Sequence, residues 1–122
     1  MSNITTKKIL VADDDPAILD AIKIILEMEG YEVDTTVNGA TIAKMFEEPP
    51  HLLLLDIWMS GQDGRDICKA LKAQNSTKHI PIIMISASRD ISQSAKDAGA
   101  DDFITKPFEM DNLLTKIKQH VL

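Results

Sequence analysis

Cysteine is nearly absent: Cys68 is the only one in 122 residues. No internal disulfide can form, so nothing stabilises the fold through oxidation. Long apolar runs are missing too. None approaches the roughly 20 residues of a membrane span, and Met1-Ser2-Asn3-Ile4-Thr5-Thr6-Lys7-Lys8 has no apolar signal core behind it. The expectation is a cytoplasmic, soluble chain with no membrane contact. Basic residues are the minority, 13 against 19 acidic, for a formal net charge of −6. That balance argues against DNA phosphates or anionic lipid as the main ligand, and no direct contact with nucleic acid is expected. Repeats, low-complexity tracts and linkers are also lacking. With 44% hydrophobic and 26% charged residues the composition is ordinary for a globular chain. The expectation is one domain over 1–122, with 1–7 as a frayed lead-in and no effector domain.

What is there centres on Leu52-Leu53-Leu54-Leu55-Asp56. Four consecutive apolar residues without polar alternation fit a strand buried on both faces. A carboxylate emerging directly from such a strand is costly unless a charge or a hydrogen bond meets it. Ile9-Leu10-Val11-Ala12 is a second continuous run and also ends in acid, Asp13-Asp14-Asp15. Pro16 suits the first turn of a helix capped by Asp15, with Ile18, Leu19, Ile22, Ile25 and Leu26 as its stripe and Gly30 as its end. Tyr31 to Val37 reads as a weaker, partly alternating strand nearer an edge. Ile42, Ala43 and Phe46 mark a short helix that Pro49-Pro50 must stop. Residues 57–63 read as loop and 64–74 as helix, with Ile67, Cys68 and Leu71 inward. Ile80 to Ile85 is a third buried strand with its proline at the entry. Ile91, Ala95 and Ala98 mark a helix closed by Gly99. Phe103-Ile104 is a brief last strand, and Met110, Leu113, Leu114, Ile117 and Val121 line a final helix.

Strand followed by helix, five times over, predicts a parallel sheet covered on both faces. In such sheets ligands bind beyond the C-terminal strand ends. Asp13, Asp14, Asp56, Ser86 and Lys106 each follow a predicted strand, so they share one rim. Carboxylates gathered there repel: two unit charges ~4 Å apart interact by roughly 4 kcal/mol at an effective dielectric of ~20. The donors on offer are oxygens, which favours Mg²⁺ over Zn²⁺. A carboxylate beside Mg²⁺ and an ammonium can attack phosphorus, so the residues point to Asp56 as a nucleophile forming an acyl phosphate.

From about Lys8 to Val121 the chain resembles the receiver domains of two-component response regulators, chemotaxis regulators among them. Five separated motifs carry the resemblance. They are Val11-Ala12-Asp13-Asp14-Asp15, Leu55-Asp56-Ile57-Trp58-Met59 with Asp63-Gly64, Ser86-Ala87, Phe103, and Lys106-Pro107-Phe108. The resemblance implies an α/β flavodoxin-like three-layer sandwich, with one five-stranded parallel sheet in the order 2-1-3-4-5 and helices on both faces. It implies phosphorylation of Asp56 by a sensor histidine kinase or phosphotransfer protein. It implies Mg²⁺ held by Asp13, Asp14, Asp56 and the backbone carbonyl of Trp58. Ser86 and Phe103 become the switch pair, Lys106 the stabilising cation, Pro107 a cis proline, and Trp58 and Ser88 the side chains that tune phosphoryl lifetime. Such a domain catalyses its own phosphorylation and dephosphorylation without being an enzyme in the ordinary sense. Its output would pass to a partner or missing domain through the 91–121 face, which could also serve a homodimer. Three positions depart from the family pattern: Ser60 replaces proline, Ser86 the commoner threonine, and Phe103 lacks a tyrosine hydroxyl.

Singly, each residue has a plainer reading. Asp13-Asp14-Asp15 could be helix capping and a solvated first turn, Asp56 a turn residue, Ser86 an ordinary strand-end hydroxyl and Lys106 a solvated charge. Trp58 could be a surface anchor. His51, His79 and His120 share no spacing and read as structural or solvated, and Cys68 as helix packing. A haloacid-dehalogenase-type phosphatase shares the Asp nucleophile, with Asp101-Asp102 as its late acidic pair. However, Ala17 stands where that motif wants Thr or Val, and the pair precedes Lys106. A flavodoxin fits the fold, but its first loop cradles phosphate and three aspartates would repel one. A phosphorylation-independent interaction module is disfavoured because every site residue is present.

Overall fold

The computed structural model describes residues 6–59, 61–87 and 92–121, with the side chains of Ala43, Met45 and Ser92 left aside. Five strands form one parallel sheet: β1 (Lys8–Ala12), β2 (Glu32–Thr36), β3 (Leu52–Asp56), β4 (Ile82–Ser86) and β5 (Asp102–Thr105), in the spatial order β2-β1-β3-β4-β5. Between them run α1 (Pro16–Met28), α2 (Ile42–Met45, entered through a 3₁₀ turn at Gly39–Thr41), α3 (Gly64–Lys72) and α4 (Ser92–Asp97), and α5 (Met110–His120) closes the chain.

Strand pleating sorts the apolar residues into two cores, because successive side chains point to opposite faces. Leu10, Leu53, Leu55, Ile82 and Met84 pack against Ile42 and Phe46, against Cys68 and Leu71 of α3, and against Ala95 of α4. Ile9, Val11, Leu52, Leu54, Ile83 and Ile85 pack against Leu19, Ile22 and Leu26 of α1 and Leu113 and Ile117 of α5. The uninterrupted leucines of β3 thus serve both layers, and all four are fully buried. The result is a three-layer, flavodoxin-like α/β sandwich.

Local signals account for the helix ends. Asp15 accepts the Ala17 N–H (3.0 Å) with Pro16 at the first helical position, and Asp63 accepts the Arg65 N–H (2.9 Å) at the start of α3. Gly30 and Gly99 follow α1 and α4 with φ of +94°. β2 has the edge position its weak pattern suggests, with Val33 its one buried residue. The segment after Asp56 differs from the loop expected. Trp58–Met59 pairs antiparallel with Gln62–Asp63 in a miniature hairpin. Ile57 and Met59 are buried and Trp58 between them is exposed. Cys68 is buried in the helix packing expected of it, and burial pushes its thiol up to about 11. Among the described residues no helix is long and apolar enough to cross a membrane.

Candidate functional site: an acidic crevice at the strand ends

Parallel pairing aligns the C-terminal ends of β1, β3, β4 and β5 along one rim. Asp13 and Asp14 follow β1, Asp56 is the last residue of β3, Ser86 the last of β4, and Lys106 follows β5 directly. One carboxylate oxygen from each of Asp13, Asp14 and Asp56 falls within 4.8 Å of the others. The Lys106 ammonium lies 2.9 Å from Asp13 Oδ2 and 3.5 Å from Asp56 Oδ2. Ser86 is buried, and the Lys106 N–H donates to its carbonyl at 2.7 Å, which fixes the lysine beside β4. The Lys106–Pro107 peptide bond is cis. Phe103 is half-buried against the α3–α4 face of the sheet. Ser88 and Ser60 lie outside the described residues.

The crevice is electrostatically incomplete. Asp13 is fully buried. Its Oδ1 accepts the Asp15 N–H at 2.9 Å. Its Oδ2 lies 2.9 Å from the Lys106 ammonium, but among the described residues no donor meets it in good hydrogen-bonding geometry. Burial pushes the Asp56 carboxyl up to about 6, and the neighbouring Asp13 charge adds to the rise. Lys106 and the Trp58 N–H, which donates to Asp56 Oδ1 at 3.4 Å, offset this only in part. Burial lowers the Lys106 pKa, yet the Asp13 and Asp56 carboxylates outweigh it and hold the ammonium above its ordinary range. Among the described residues a single ammonium therefore serves an acidic trio.

A hard cation fits this donor set. Three carboxylate oxygens within 4.8 Å of one another are the hard oxygen donors that Mg²⁺ prefers. The Asp13 oxygen without a hydrogen bond is the kind of acceptor that such an ion satisfies. Backbone shape brings α3 close to the acidic strand end. A Cβ on Gly64 would collide with the backbone carbonyl of Asp56, so only glycine lets α3 begin this close to the acidic strand end.

Trp58 is 57% exposed, and its ring stacks on the Arg65 guanidinium at 5.5 Å from the ring centre. Arg65 was not among the predicted site residues. Its only sequence signal was an arginine two positions after a helix-capping aspartate. The histidines, which share no sequence spacing, nonetheless meet in space. His51, His79 and His120 line one hollow of about 260 Å³ with Lys7, at the opposite end of the sheet. They come together because each lies next to the N-terminal end of a strand or the C-terminal end of α5. The Asp101-Asp102 pair of the phosphatase reading lies at that end too. Asp101 pairs with Lys72 at 2.7 Å, and Asp102 with Lys116 at 2.9 Å and His120 at 3.0 Å. Neither contributes to the acidic crevice found among the described residues.

A doubly wound sheet with a carboxylate trio and one ammonium at its C-terminal rim defines a flavodoxin-like α/β protein with a cation-ready acidic pocket. The chain belongs to the response regulator receiver domain family, whose model matches residues 9–118. It is 38% identical over 114 residues to the DNA-binding dual master transcriptional regulator RpaA of Synechocystis sp., covering 91% of this chain and 47% of that protein. It is 39% identical over 116 residues to the transcriptional regulatory protein KdpE of Mycobacterium tuberculosis, covering 93% and 50%. The chain thus spans about half the length of the curated relatives it matches. Among solved structures, the chemotaxis response regulator CheY4 of Vibrio cholerae superposes with a TM-score of 0.88 at 30% identity, covering 97% of this chain and all of that one.

Proposed function

We propose that this receiver domain is a phosphorylation switch whose acceptor is Asp56. An Asp56 carboxylate oxygen attacks the phosphorus of a phosphohistidine on a sensor kinase or phosphotransfer protein. The O–P bond forms, the N–P bond breaks, and the imidazole leaves with the electron pair and takes a proton. Asp13, Asp14, Asp56 and the Trp58 carbonyl would hold Mg²⁺, which when bound neutralises charge on the transferring group. Lys106 supplies a second positive centre, already 3.5 Å from Asp56 Oδ2. An apolar hollow of about 670 Å³ opens beside it, lined by Ala17, Ile18, Ala87 and Phe108 among others. That hollow gives the donor protein a surface to seat on.

After transfer, the Ser86 hydroxyl and the Lys106 ammonium engage the phosphoryl oxygens and Phe103 moves inward. The surface of α4, β5 and α5 then favours a different partner contact. The shift is limited to the difference in phosphoryl binding between the two states. Hydrolysis of the acyl phosphate returns the carboxylate and resets the switch. The output belongs to a partner or to further sequence. The DNA binding in the name of RpaA describes a protein about twice this length, and the −6 charge of this chain argues against these residues as the DNA contact.

The observation that carries this reading is the unbalanced crevice: three converging carboxylates, a buried Asp13 oxygen lacking a hydrogen bond, and an ammonium reaching both Asp13 and Asp56. Titration of Mg²⁺, then beryllofluoride or acetyl phosphate, while following Trp58 fluorescence tests it. Millimolar Mg²⁺ should change the emission and raise the melting temperature. The phosphodonor response should vanish in Asp56→Asn; if it survives there, the acceptor assignment is wrong.

A further inference from the structure

Arg65 has a set of contacts that the acidic crevice does not explain. It sits in the first turn of α3, next to Gly64 and beside the miniature hairpin. Its Nε donates to Asp63 Oδ1 at 2.9 Å and its Nη2 to Asp63 Oδ2 at 2.6 Å, a two-point fork that fixes the guanidinium plane. Trp58 is the register partner of Asp63 across the hairpin, and its ring lies on the guanidinium face. The remaining amine, Nη1, donates to Ser94 Oγ at 3.3 Å, which carries the contact onto α4.

The two ends of Trp58 therefore face different tasks. Its backbone N–H is on the Asp56 carboxylate at 3.4 Å, while its half-exposed ring would sample many positions if Arg65 did not hold it. A guanidinium locked by a fork can serve as a stacking platform, where a lysine would be a mobile point charge. We propose that Arg65 is a positioning residue that sets the lifetime of the phosphoryl group on Asp56 by fixing the Trp58 ring, and that through Ser94 it links this setting to α4. The inference rests on the phosphoacceptor reading above and adds the regulation of that site. A partner that moves α4 pulls on the same guanidinium that holds the ring, so partner occupancy and phosphoryl lifetime become coupled.

The test is the decay rate of the full chain phosphorylated by acetyl phosphate with Mg²⁺, compared for wild type, Arg65→Leu, Trp58→Ala and the double variant. Trp58→Ala should speed decay by opening a path for water. Arg65→Leu should speed it about two- to fivefold, the range expected of an exposed cation–π contact, and should add nothing in the Trp58→Ala background. Arg65→Lys keeps the charge but not the fork and should fail to restore the wild-type rate. Ser94→Ala should shift the rate in the same direction by less. Trp58 fluorescence anisotropy should fall in Arg65→Leu without any phosphodonor, a signature that loss of stability alone does not give. Should Arg65→Leu not fold, Asp63→Asn keeps the α3 cap, weakens the fork and should reproduce both effects. Independent, additive rates or unchanged anisotropy overturn the role of Arg65 while leaving Asp56 as acceptor. Failure of the wild type to take up phosphate overturns the acceptor reading instead, and the anisotropy result then still reports whether Arg65 holds the ring.

Discussion

The two ends of the sheet use the same residue types to opposite effect. At the N-terminal end Asp101 and Asp102 are both answered. Asp101 meets Lys72 at 2.7 Å and the Ile82 N–H at 2.9 Å. Asp102 meets Lys116 at 2.9 Å, His120 at 3.0 Å and the Phe103 N–H at 2.8 Å. Burial raises the Asp102 pKa, but these partners outweigh it, and its carboxyl is held below the usual range. At the C-terminal end burial wins, and Asp56 rises to about 6. One end is built to stay folded. Among the described residues the other keeps a deficit of positive charge, as expected where local consistency is given up for function.

Removing Lys106, the one cation at this rim among the described residues, should break the contrast most severely. Lys106→Met, measured by urea unfolding at pH 8 without divalent cations, should cost about 3 kcal/mol, because it leaves the buried Asp13 and Asp56 uncompensated. The loss should shrink at pH 5, where Asp56 takes up a proton. Asp56→Asn should act in the opposite direction and stabilise the metal-free chain at pH 8 by about 2–3 kcal/mol. The sign follows from linkage. The folded-state pKa of Asp56 lies above the unfolded value of about 3.9, so the native state binds more protons between the two. Stability therefore falls as pH rises from about 4 through about 6, and Asp56→Asn should lack that decline. Saturating Mg²⁺ should erase the advantage of the variant. A metal-free wild type with no pH dependence between 4 and 7 would show that the crevice is not strained.

Much of this contrast was legible in the sequence. The runs Ile9–Ala12, Leu52–Leu55 and Ile82–Ile85 mark doubly buried strands by their lack of alternation, and a parallel sheet forces whatever follows each strand onto one rim. That topological rule placed Asp13, Asp56, Ser86 and Lys106 together without any knowledge of side-chain geometry. What stayed hidden depends on contacts between elements that no spacing encodes. The hairpin after Asp56 is only two residues per strand, too short for a periodic signal. The Arg65 stack needs the hairpin to exist first. The histidine-lined hollow gathers residues from four separate chain segments, and the pairing of Asp102 with Lys116 and His120 depends on how α5 docks, with Leu113 and Ile117 facing the sheet.

The smallest expected effect probes the satisfied end. Asp102→Asn keeps the size of the side chain but loses the charge that Lys116 and His120 share, and should cost about 1–2 kcal/mol near pH 7. The folded-state pKa of Asp102 is depressed, so its contribution is present above the unfolded value of about 3.9 and is lost as pH falls through the lower folded value. The variant and the wild type should therefore converge in strong acid. This is the reverse of Asp56, whose cost appears only as pH rises. Thermal unfolding of both variants from pH 3 to 8 in metal-free buffer would show the two profiles crossing. Parallel profiles would mean that the difference between the two ends is one of position alone. Mg²⁺ sharpens the comparison further: it should raise the melting temperature of Asp102→Asn as much as that of wild type, because the proposed ion site, the acidic trio, lies at the other end of the strands.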